Sequence, residues 1–172
     1  GSNVALGADS LKNTTTASDN TAVGKSALTA NTSGTVNTAV GSTALSANTT
    51  AASNTAIGYG ALATATTGGL NTAVGRSALL DLTTGTPNVA VGAYAGQSVT
   101  TGASNTFIGY QAGDATTTAD GNTAVGRDSL VANTTGASNT AVGAYALDAN
   151  TTAEYNTAVG KDAAGAITTG AA

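Results

Sequence analysis

The 172-residue chain contains no cysteine, histidine, methionine or tryptophan, and only one proline. No disulfide can staple it, and the thiolate and imidazole ligands of zinc and copper sites are missing. Without histidine, no side chain titrates near neutral pH unless its environment shifts it, which leaves general acid–base catalysis poorly supplied. Charged residues are 8% of the chain, against roughly 25% in ordinary globular domains. Nine acidic and five basic residues give a net charge of −4, so there is no basic stripe for nucleic acid. No apolar run approaches the roughly 20 residues of a membrane span, and the first residues carry no charged-then-apolar secretory signal. Composition therefore points away from enzymes, cofactor carriers and nucleic-acid binders and towards architecture.

What is present is one phrase. Asn-Thr-Ala-Val-Gly or a near variant begins at Asn3, Asn20, Asn37, Asn54, Asn71, Asn88, Asn105, Asn122, Asn139 and Asn156, always 17 residues apart. Ten tandem copies without insertion fill the chain from Asn3 onwards as a single repeat domain, 1–172. Such regularity means that each position meets the same environment in every copy, stacked on its own image. Positions within the repeat are numbered below from its Asn.

β-Branched residues at positions 2 and 4 around a small one at 3 read as a short strand, and the Gly at 5 (Gly24, Gly41, Gly75 and their counterparts) reads as a corner. Ala-Leu at 8 and 9 and Thr-Thr or Thr-Ser at 13 and 14 follow. Gly and Thr every few residues oppose a helix. The coil is expected to run strand, turn, strand, turn, giving an all-β parallel β-solenoid. Coils stacked at about 4.8 Å make a rod of roughly 45 Å. In it Asn20, Asn37, Asn54 and Asn71 form an amide ladder, each bonding its image in the next coil, and Thr32 and Thr49 belong to a second column. Where Leu at position 9 is replaced by Gly96 or Ala164, position 12 becomes apolar as Val99 or Ile167, as though one cavity were filled from two sides.

Alternation along the strand assigns Thr at 2 and Val at 4 to the interior and Ala at 3 to the outside. A solvated face should be polar, yet this column is Ala22, Ala39, Ala73 and their equivalents, with Phe107 the sole exception. That column is accordingly expected to be a chain interface, and the chain a homotrimer. Phe107 either meets its sister rings there or turns inward to replace the Leu missing at Gly113.

The phrase, the corner Gly and the 17-residue coil resemble the head repeats of trimeric autotransporter adhesins, whose typical phrase is SVAIG; Asn20-Thr21-Ala22-Val23-Gly24 and its nine counterparts stand in register with it. Similar repeats occur in tail-fibre-like proteins of phages and bacteria. The resemblance spans the whole chain and implies a left-handed β-roll of three chains around an axis. The longer period and the Thr at position 2 depart from the adhesin pattern.

Positions 6 and 7 vary and hold large polar groups. Tyr59, Tyr94, Tyr110 and Tyr145 there read either as part of a solubilising rim or as a contact stripe for a host receptor, matrix protein or glycan. Asp114, Asp120 and Asp128 lack the clustered oxygens that calcium requires, so no metal or cofactor is implied. Asn13, Asn31, Asn48, Asn133 and Asn150 open Asn-x-Ser/Thr triplets but read as turn and ladder residues. No constellation suits catalysis. An extracellular fibre or adhesin segment, on a cell surface or a virion, is the function expected; a phage tail-fibre shaft shares its physics. An ice-binding solenoid is suggested by the Thr columns at 13 and 14, although adjacent residues point oppositely and two ranks at i and i+2 are needed. Uncapped ends suggest a fragment of a longer fibre or a unit that also stacks end to end.

Overall fold

A computed structural model describes residues 1–169. Ten three-residue strands form one parallel sheet in sequence order: β1 (Val4–Leu6), β2 (Thr21–Val23), β3 (Thr38–Val40), β4 (Thr55–Ile57), β5 (Thr72–Val74), β6 (Val89–Val91), β7 (Thr106–Ile108), β8 (Thr123–Val125), β9 (Thr140–Val142) and β10 (Thr157–Val159). Pairing is in register throughout, Thr21 with Thr38, Ala22 with Ala39, Val23 with Val40. The chain is a parallel β-solenoid of ten coils, with no helix among the described residues.

Only one strand forms per coil; the expected second strand is replaced by turns. The reason lies in the backbone. Positions 7 and 9 are left-handed in every coil, as at Ser26 (φ 58°) and Leu28 (φ 51°), and position 17 is left-handed at Val36 (φ 58°) and Leu70 (φ 60°). A strand cannot pass through such residues. Two tight turns follow the corner instead, closed by Ala27 N–H to the Gly24 carbonyl at 3.3 Å and Asn31 N–H to the Leu28 carbonyl at 3.2 Å. Bonds between coils continue through this irregular part: Leu28 N–H donates to the Ala44 carbonyl at 3.0 Å, and Thr32 N–H to the Thr49 carbonyl at 2.9 Å.

The corner glycines sit at φ near +135°, and a Cβ on Gly24 would come within 2.5 Å of the Gly41 carbonyl oxygen. Both the dihedral and the close approach of the next coil demand Gly. A left-handed Leu at position 9 has no such freedom. Its strain, about 1–3 kcal/mol, is offset by full burial of the side chain, worth roughly 1.5–3 kcal/mol.

The core reverses the expected facing of the strand. Ala22, Ala39, Ala73 and Phe107 are completely buried, while Thr at 2 and Val or Ile at 4 point outwards. Ala at 3 and 8, Leu at 9 and the residue at 12 fill the interior of most coils, and Phe107 fills it where Gly96 and Gly113 stand in place of Leu. Positions 9 and 12 both reach the core, since Leu28, Leu79, Leu82 and Val99 are fully buried, as are Asn31 and Thr116; Leu79 and Leu82 are buried in the same coil, so an apolar residue at 12 does not require the loss of Leu at 9.

Candidate association face and surface ladders

The residues expected at the chain interface, Ala22, Ala39, Ala73 and Phe107, have no exposed surface and cannot reach another chain. The strand alternates as expected, but with the opposite residue inward. The outward face consists of the twenty side chains at positions 2 and 4, and none is charged. Ile57, Val89, Val91 and Ile108 in the middle of the rod remain about 40% exposed, and Val4, Leu6 and Val159 near its ends more so. Position 17 adds Val36, Leu70 and Tyr155 alongside, each more than half exposed. The position-4 rank is thus a partly exposed apolar column beside a rank that is mostly Thr.

Two of the Thr residues on this face are replaced by Val, in coils 1 and 6, as Val4 and Val89. Val preserves the branched shape of Thr and discards its hydroxyl, so shape is what position 2 retains. A face that keeps shape and excludes charge is suited to packing against another apolar surface.

The four tyrosines lie on one corner, with Tyr59 and Tyr110 exposed and Tyr94 and Tyr145 half-buried. Tyr94, Tyr110 and Tyr145 belong to a stack. The Arg76 guanidinium lies 5.5 Å from the Tyr94 ring centre, Tyr94 meets Tyr110 edge-to-face at 6.0 Å, and Arg127 lies between Tyr110 (5.9 Å) and Tyr145 (5.6 Å). One side chain from each of five successive coils thus forms a continuous stack. Arg76 and Arg127 were legible as members of the same variable column; what the sequence did not show is that long side chains at 6 and 7 lean along the rod until they touch. Arg127 also pairs with Asp128 at 2.9 Å, and Lys161 with Asp162 at 2.7 Å.

Inside, the Asn ladder forms with a different bonding pattern from the simple amide stack. Asn54 Oδ1 accepts the backbone N–H of Asn71 at 2.9 Å, and Asn54 Nδ2 donates to the Gly68 carbonyl of its own coil at 3.0 Å. Asn20, Asn37 and Asn71 repeat this arrangement. Direct side-chain bonds also occur, as from Asn20 Nδ2 to Asn3 Oδ1 at 3.2 Å. Each amide therefore closes its own coil and bolts the next one on. Asn48 to Asn31 at 3.1 Å and Asn150 to Asn133 at 2.9 Å make short second ladders at position 12. Those four Asn-x-Ser/Thr asparagines are fully buried and inaccessible to a glycosyltransferase in the folded chain; Asn13 is exposed.

Thr32 and Thr49 at position 13 are half-buried and donate their hydroxyls to the Thr49 and Thr66 carbonyls at 3.0 and 3.2 Å. These hydroxyls hold coils together and are not free for a ligand. Asp114 Oδ1 is buried without a partner, and burial pushes the carboxyl above its ordinary range, an effect opposed by the Gln111 hydrogen bond and reinforced by Asp128. Among the described residues no three His, Cys, Asp or Glu side chains gather into a metal site.

No family model, curated protein or solved structure matches the chain.

Proposed function

We propose that the chain is a rod segment of an extracellular structural or adhesive fibre, in which three copies pack side by side through the Thr/Val face as left-handed β-rolls. The observation that carries this reading is the uncharged outward sheet: twenty side chains in two straight ranks, with apolar residues at position 4 in all ten coils. Completing the burial of one half-exposed Val returns on the order of 1 kcal/mol. Against an association cost of about 4–15 kcal/mol, one coil achieves nothing, while ten in register suffice. The Ala-lined interior supports the same conclusion, because a coil with so small a core gains most from outside contacts. The resemblance to adhesin heads fits this face, since the two apolar residues of SVAIG align with positions 2 and 4. A phage tail-fibre shaft rests on the same contacts.

Sedimentation equilibrium tests the proposal. The expected result is a trimer at micromolar concentration that Val74→Lys with Val125→Lys converts to a β-rich monomer. A wild-type monomer would sink it.

One observation favours a second reading. Thr at 2 and Val at 4 supply two outward ranks at i and i+2, one of Thr and one apolar, at a place other than the Thr pairs of positions 13 and 14. Thermal hysteresis that disappears on Thr72→Lys would establish it in place of the fibre.

A further inference from the structure

Position 14 is Thr in nine coils and Ser33 in the tenth. From Thr16 through Ser33, Thr50 and Thr67 to Thr169, every one of these residues is exposed. Outside the Thr/Val face, exposed positions such as 6 drift, holding Ala, Lys, Ser, Tyr and Arg. Position 13 keeps Thr because its hydroxyl bonds the next coil. No such bond explains position 14, whose backbone alone is engaged, as in Ser33 N–H to the Thr49 carbonyl at 3.2 Å.

The exceptions at two Thr columns separate shape from hydroxyl. At position 2 the substitute is Val, which keeps the shape and loses the hydroxyl; at position 14 it is Ser, which loses the methyl and keeps the hydroxyl. The retained feature at position 14 is therefore an outward hydroxyl that the fold does not use. A hydroxyl alone gains little from each hydrogen bond because water competes for it, which makes it a weak anchor for a reversible ligand. As a nucleophile it needs only access. Access is ample, since the residue at position 14 is exposed in every coil.

We propose that the position-14 hydroxyls are acceptors for O-linked glycosylation from a nucleoside-diphosphate sugar, carried out by a separate transferase. The Thr Oγ attacks the anomeric carbon of the donor, a new C–O bond forms, and the bond from that carbon to the diphosphate breaks. The hydroxyl proton goes to a base of the transferase, and the nucleoside diphosphate departs. No oxidant or reductant is involved. Sugars placed about 4.8 Å apart would clothe one side of the rod in hydrated surface. The Thr/Val sheet, separated from position 14 by the left-handed turn at 17, would stay free for packing.

The inference goes beyond the fibre reading and can fail separately from it. Intact-mass and fragmentation spectra of the chain taken from the cells that make it naturally are compared with those of chain made in a host lacking such transferases. The expected result is a series of monosaccharide increments on the native chain alone, localised to residues such as Thr67, Thr84 and Thr101. One increment should be lost for each Thr→Val replacement and kept for Thr→Ser. An unmodified native chain, or sugars confined to positions 2 or 13, would overturn the proposal. A trimer without increments would leave the fibre reading standing and remove this one; increments on a monomer would do the reverse.

Discussion

The ring of Phe107 occupies the space that side chains at Gly113 and Gly96 would take: a Cβ on Gly96 would lie 2.7 Å from Phe107 Cδ2, and one on Gly113 would press on the same ring. These are the two consecutive coils in which position 9 has lost its Leu. One Phe on the strand of coil 7 thus replaces two leucines, fully buried and turned inward. Phe107→Ala should cost about 3–5 kcal/mol through the cavity it leaves. Gly113→Leu should cost about 1–3 kcal/mol by overpacking, since Leu tolerates the backbone there in other coils. The double variant restores the repeat consensus in coil 7 and should be more stable than the sum of the single effects, as denaturant titration of all four proteins would show. Strict additivity would contradict the shared space.

Phe107 also marks where sequence reading stopped. The 17-residue period, the parallel stacking, the Asn ladder and the corner Gly were legible because each repeats ten times and each has a local cause. Two facings are compatible with Thr-Ala-Val, and the sequence offers no direct measure of how wide a coil is. Width decides the matter: with left-handed turns at positions 7 and 9, position 3 is Ala in every coil that carries Leu at 9, and Phe107 is accommodated beside Gly96 and Gly113. Those turns were not legible, because Leu28, Ser26 and Val36 are not residues that announce a positive φ.

Gly41→Ala should destabilise the rod by about 2–6 kcal/mol, combining a disfavoured φ of +136° with a Cβ driven into the next coil's backbone. Gly60→Ala is the control. Its φ of +66° is one that Ser and Thr adopt at the same position, and its nearest neighbour would be Leu80 Cδ1 at 3.5 Å. Thermal melts should separate the two variants clearly; equal melting would refute the account of the corner.

Asn54→Ala removes the acceptor for Asn71 N–H and the donor to the Gly68 carbonyl at once. Each buried group left unpaired costs about 1–3 kcal/mol. Hydrogen exchange should show coils 4 and 5 opening while the ends of the rod keep their own protection. Unchanged protection at Asn71 would mean that the ladder is incidental.

Asp114 should give the rod a small acid-side stability gain. Its folded carboxyl holds a proton more tightly than the unfolded one, so the native state binds more protons and stability falls as pH rises from about 4 through the folded value, then levels. Asp114→Asn should abolish that slope and stabilise coil 7 at neutral pH. A variant with the same pH profile as wild type would contradict the assignment.

The most direct test of the central claim, that Ala faces the core and Val the neighbouring chain, uses the absence of native cysteine. Val125→Cys and Ala124→Cys place single thiols on adjacent residues of β8, one outward and one with no exposed surface. Under mild oxidation at micromolar concentration, the Cys at position 125 should form an interchain disulfide, seen as a doubled mass on a non-reducing gel, and the Cys at 124 should not react. Crosslinking at 124 with none at 125 would contradict the account.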